Sequence, residues 1–184
     1  MVLICNSGNA GDYSCGNIGS IVRYNISIGD GIRPKETRQG MFSPSIHIAG
    51  PVKQTLVERN IIHANLKPSD IIDRTMITSD SWDGYADNTC FRQNIYYAAE
   101  SSRFDFTSST RNAFEENIYI GQFKNLPESP KNKKAENFYT EKVLKESADG
   151  YKGLHCLMDS IKVKEHTLHY IKPEAIKAFF QSIF

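Results

Sequence analysis

A chain of 184 residues is long enough for one domain with a core of its own, and 40% apolar with 23% charged residues is ordinary globular composition. A formal net charge of +1 provides no long-range field to draw in nucleic acid or an anionic membrane, and no run of eighteen apolar residues is present to span one. The four cysteines, Cys5, Cys15, Cys90 and Cys156, form neither a CxxC pair nor a zinc-ligand pattern; they read as structural, and Cys5 and Cys15 are close enough to bridge a loop.

In chain order, the first predicted element is Met1-Val2-Leu3-Ile4-Cys5. It lacks the basic start and long apolar stretch of a signal peptide and reads as a buried strand, with any export signal expected upstream of it. A repeat then organises the chain as far as Gly121. Four segments align without gaps: Ile21-Val22-Arg23-Tyr24-Asn25-Ile26, Leu56-Val57-Glu58-Arg59-Asn60-Ile61, Cys90-Phe91-Arg92-Gln93-Asn94-Ile95 and Ala113-Phe114-Glu115-Glu116-Asn117-Ile118. Their asparagines lie 35, 34 and 23 residues apart, a spacing that fits a solenoid coil with loop insertions of about ten residues. Each segment comes after a second strand-like run: Val2-Leu3-Ile4-Cys5, Ser45-Ile46-His47-Ile48-Ala49, Thr75-Met76-Ile77-Thr78 and Phe104-Asp105-Phe106-Thr107.

Stacking the coils predicts three columns. Val22, Val57, Phe91 and Phe114 fill the interior. Asn25, Asn60, Asn94 and Asn117 stand at a bend, where amides at strand spacing can hydrogen-bond along the axis. Arg23, Glu58, Arg92 and Glu115 alternate in sign and read as a solvated outer face. The expected fold is therefore all-β: a right-handed parallel β-helix of about four coils over residues 1–121. An irregular or helical tail, 122–184, is expected after it. In that tail, residues 126–134 read as a surface loop. Pro173 suits a first helical position, and Ile176, Phe179, Phe180 and Ile183 come next at helical spacing. That stripe is expected to cover an open solenoid end rather than to dock a partner.

Ile21–Gly31 (IVRYNISIGDG), Ile46–Gly50 (IHIAG), Ser81–Thr89 (SWDGYADNT), Gln93–Tyr97 (QNIYY) and Phe114–Gly121 (FEENIYIG) together resemble bacterial proteins of the pectate-lyase-like parallel β-helix superfamily. The resemblance covers roughly residues 1–121. It implies a secreted, periplasmic or cell-surface protein, usually longer, that acts on or binds polysaccharide. Lyases of this superfamily remove a proton alpha to a uronate carboxylate with a basic residue, often beside calcium; glycoside hydrolases instead need two carboxyl groups about 5–10 Å apart. The residues themselves point to no cofactor, and calcium is the one ion the resemblance allows.

The candidate site residues are read within this frame. His47 lies between two isoleucines, so alternation turns it outward as a candidate base. Trp82, the single tryptophan, sits between Ser81 and Asp83 on a turn and could stack on a sugar, with Asp83 as a second catalytic candidate. Asp80, Asp83 and Asp87 could gather a hard cation, or could serve only to stabilise turns while Trp82 packs on a neighbouring coil. Arg33, Lys35 and Arg38, in the loop after Asp30-Gly31, could meet an anionic glycan. Two readings stand: a polysaccharide lyase or hydrolase, and a non-catalytic glycan-binding or adhesin-like β-helix. No nucleotide loop, GxSxG elbow, HExxH or EF-hand pattern is present.

Overall fold

The computed structural model describes residues 2–5, 17–30, 42–64, 75–82, 84–98, 101–135 and 173–184. Arg33, Lys35, Arg38, Asp83, Cys15 and Cys156 lie outside these. Among the described residues there are sixteen strands, every pair of them parallel. The first three are β1 (Val2–Cys5), β2 (Ile21–Arg23) and β3 (Ile26–Asp30), and the next three are β4 (Ile46–Ala49), β5 (Leu56–Glu58) and β6 (Ile61–Ala64). The third circuit holds β7 (Thr75–Asp80), β8 (Ala86–Asp87), β9 (Cys90–Arg92) and β10 (Ile95–Ala98). The fourth holds β11 (Ser102–Asp105), β12 (Ser109–Thr110), β13 (Ala113–Glu115) and β14 (Ile118–Ile120). Two strands, β15 (Phe123–Lys124) and β16 (Lys133–Ala135), and one helix, α1 (Pro173–Ile183), complete the described elements.

The chain visits the same sheets in the same order on each circuit. One sheet runs β1-β4-β7-β11-β15, a second β2-β5-β9-β13 and a third β3-β6-β10-β14-β16, with β8-β12 as a small fourth. This is an all-β, solenoid-like stack of parallel coils, and it binds only near neighbours to one another. The short strands reflect the short apolar runs. Several of these runs end at a residue of positive φ that turns the backbone.

Eight such residues fall in two columns, and Gly50, Gly84, Gly121 and Asn125 lie outside them. Tyr24, Arg59, Gln93 and Glu116 have φ of 57°, 52°, 53° and 55°, each just before a ladder asparagine. Gly19, Gln54, Asn88 and Arg111 form the other column, with φ of 73°, 54°, 57° and 51°. A left-handed L-residue costs roughly 1–2 kcal/mol, so each such corner is held by the bonds around it.

The asparagine ladder supplies those bonds at the first corner. Asn60 donates from its backbone N–H and its Nδ2 to Asn94 Oδ1 at 3.1 and 2.9 Å, and Asn94 does the same to Asn117 at 3.0 and 3.0 Å. The remaining Nδ2 protons cross to strand carbonyls of the coil before: Asn60 to Val22 O, Asn94 to Val57 O and Asn117 to Phe91 O. Asn60, Asn94 and Asn117 are all buried. Buried amides in this state meet the requirement that interior polar groups be paired.

The interior columns are aligned as expected: Val22 with Val57, Val57 with Phe91 and Phe91 with Phe114. The rings of Phe91 and Phe114 stack at 5.1 Å, as do those of Tyr96 and Tyr119 at 5.4 Å.

The stack runs past Gly121. Strand β15 pairs with β11, β16 pairs with β14, and Asn132 joins the ladder by accepting from the Asn117 backbone N–H at 3.0 Å. The Pro- and Lys-rich stretch expected as a plain surface loop therefore contains a fifth ladder rung. Helix α1 buries Ile176 and Phe180, with the Phe180 ring 6.4 Å from that of Tyr24 at the first coil's corner. Among the described residues no helix is long and apolar enough to cross a membrane.

Candidate functional site

The outward face of the β1-β4-β7-β11-β15 sheet is where the sequence places chemistry. Parallel register puts Leu3, His47, Thr78 and Asp105 in one column. Ile46 and Ile48 are buried in the core, so the period-two alternation expected for His47 holds. Its exposure does not. His47 is only 4% exposed because the Phe42 ring meets it edge-on at 4.8 Å and the Trp82 ring at 5.4 Å.

Under that roof, His47 Nε2 lies 2.8 Å from Asp80 Oδ2. The contact is diagonal: Thr78 is the register partner of His47, and Asp80 stands two residues further along β7 beside Ala49. Nothing in the local sequence pairs positions 47 and 80; only the offset between consecutive coils does. The carboxylate keeps 32% of its surface in solvent, while the imidazole keeps almost none.

Trp82 is 37% exposed and Tyr85 is 59% exposed, both on the connection from β7 to β8. Trp82 thus packs T-shaped on His47 and keeps a little over a third of its surface in solvent. Tyr85 was not among the sequence candidates; its place beside the tryptophan in SWDGY was the available signal.

Asp80 and Asp87, which the sequence offered as joint oxygen ligands for a cation, go to separate partners. Asp80 takes His47, and Asp87 takes Arg111 Nε at 2.7 Å and Thr110 Oγ1 at 2.9 Å. The hydrogen bonds from Arg111 and then Thr110 hold the Asp87 carboxyl down at about 2. Among the described residues, no group of three His, Cys, Asp or Glu side chains converges as a metal site. Cys5 and Cys90 are free thiols.

The column of alternating charge differs from its expected solvated state. Its register is as read, with Arg23 beside Glu58 and Glu58 beside Arg92. Glu58, however, is 2% exposed. Arg92 closes on its Oε2 through Nε at 2.8 Å and Nη2 at 2.7 Å, and the Arg23 and Arg59 guanidiniums stand further off, at 3.8 and 3.9 Å. Burial of one carboxylate under three arginines is a structural clamp between coils. An open cleft of about 410 Å³ lies in the loop before β16, lined by Pro127, Glu128, Ser129, Pro130, Asn132 and Lys134, and holds none of the candidate residues.

No protein-family model, no curated protein and no solved structure matches this chain.

Proposed function

We propose that the chain is part of a right-handed, pectate-lyase-like β-helix that recognises polysaccharide outside the cytoplasm, by binding at the Trp82 corner rather than by turning its ligand over. The observation that carries this reading is the state of Trp82. Its ring is fixed edge-on to a buried histidine, itself bonded to Asp80, and more than a third of its surface is left open. A rigid aromatic surface loses little entropy when a pyranose ring stacks on it. Tyr85 offers a second aromatic surface, and the exposed third of the Asp80 carboxylate accepts from sugar hydroxyls.

The same geometry weighs against His47 as a base in this state. A general base must reach the proton it removes, and the imidazole is enclosed by Phe42, Trp82 and Asp80. A lyase or hydrolase is the second reading, favoured by the 2.8 Å pairing of an imidazole with a carboxylate. It requires the Phe42 and Trp82 rings to move aside.

Affinity gel electrophoresis against neutral and uronate-bearing polysaccharides separates the two. Retardation by one of the polymers is expected, with Trp82→Ala abolishing it while the circular dichroism spectrum stays unchanged. Equal retardation of Trp82→Ala and the parent chain removes the binding reading. Release of new reducing or unsaturated ends that disappears in His47→Gln, with retardation kept, establishes the enzyme instead.

A further inference from the structure

We infer that the face formed by β1, β2 and β3 is a docking surface for one further parallel β-coil, whose corner carries an asparagine in the column of Asn25. This stands apart from the glycan reading and rests on the polarity of the ladder. At every inner interface the Oδ1 of one asparagine accepts two bonds from the asparagine of the coil before it, as Asn60 does from Asn25 N–H at 3.0 Å and Nδ2 at 2.9 Å. Asn25 Oδ1 receives no such donor among the described residues. The Nδ2 proton that elsewhere crosses to the preceding coil bonds instead to Arg23 O at 3.0 Å.

The other end of the ladder is closed. Asn132 turns its backbone N–H to Ser129 O at 3.1 Å and its Nδ2 to Pro127 O at 3.4 Å, both within its own loop. The ladder therefore has one open acceptor end and one closed donor end.

The strand edges have the same asymmetry. Each of β1, β2 and β3 is the last strand of its sheet, so one edge of each lacks a strand partner among the described residues. Those edges repeat, unpaired among the described residues, the parallel pairing that joins the inner coils. The matching partner has two features: an asparagine whose N–H and Nδ2 are free to donate, and a strand carbonyl three residues before it, as Val22 O stands to Asn25. A second copy does not meet this requirement. Its equivalent face brings acceptor against acceptor, and its opposite end has the donors engaged.

The test fuses an extra copy of residues 75–102 directly ahead of Met1 in the full chain. This gives Val2 the same spacing from the duplicated Ala98 that Phe104 has, and Val2 shares the Ile46, Ile77 and Phe104 column. Amide hydrogen exchange in Ile21–Arg23 and Ile26–Asp30 is expected to slow roughly tenfold or more. Asn94→Ala in the duplicated coil should cancel most of that protection. Unchanged exchange in a folded fusion overturns the inference. So does sedimentation of the parent chain as a dimer with these amides already protected, because a second copy then occupies the face. Should the fusion misfold, a separate peptide of residues 75–98 added to the parent chain replaces it. Protection of the same amides supports the docking surface, and none at saturating peptide overturns it.

Discussion

Asn94 illustrates how much a single side chain carries in this architecture. Its Oδ1 accepts from Asn60 N–H and Nδ2, and its own Nδ2 bonds to Val57 O and Asn117 Oδ1. Asn94→Ala strands buried donors and an acceptor at once, and each orphaned group costs about 1–3 kcal/mol. Asn94→Ala is therefore expected to destabilise the chain by about 3 kcal/mol or more in urea denaturation. Asn25→Ala, at an exposed position, should cost no more than about 1 kcal/mol. Equal effects would contradict a ladder in which burial sets the cost. The side-chain length matters too. Thr55 and Thr89, buried after the second corner, have hydroxyls without a partner, because a hydroxyl on Cβ does not reach across the roughly 4.8 Å between coils as an amide does.

Asp87 gives a residue-scale prediction of a different kind. Its folded value of about 2 lies below the ordinary 3.8, so its contribution to stability is present above the unfolded value and is lost as pH falls from about 4 through 2. Arg111→Ala removes the largest cause of the shift. Carboxyl carbon NMR should then show Asp87 titrating back near its ordinary value, and an unchanged midpoint would exclude the Arg111 bond as the cause.

At the scale of the element, the corners dictate what the strands can be. Gly121 comes directly after β14 with φ of +105°, and a Cβ placed there would meet Ala98 O at 2.4 Å. Gly121→Ala therefore adds a backbone clash to backbone strain, and a loss of about 2–3 kcal/mol is expected from thermal or urea unfolding. A neutral result would mean that the turn after β14 relaxes freely. The strand-and-bend segments around Asn25, Asn60, Asn94 and Asn117 were legible because one register served all four copies. The rung at Asn132 was not, because β16 reads as Lys133-Lys134-Ala135 and has no apolar strand pattern to announce it.

At the scale of the whole molecule, each coil touches only its neighbours, so stability accumulates along the stack. Hydrogen exchange should be slowest in β5, β6, β9 and β10, which are paired on both sides, and fastest in β1, β2 and β3, paired on one among the described residues. Uniform protection across all these strands would argue against nearest-neighbour coupling. The same arrangement explains the candidate site. Residues far apart in sequence meet wherever coils are offset by a constant amount, as His47 and Asp80 do.

By itself the sequence determined the period, the columns and the inward and outward faces. A repeated spacing of apolar and amide side chains admits one economical way to bury the former and pair the latter. Tertiary structure decided what each polar group meets. It roofed His47 with Phe42 and Trp82, gave Asp80 and Asp87 separate partners, and drew Glu58 under three arginines. Those outcomes depend on offsets between coils and on loop side chains folding over a strand, and neither is encoded in the periodicity of any single segment.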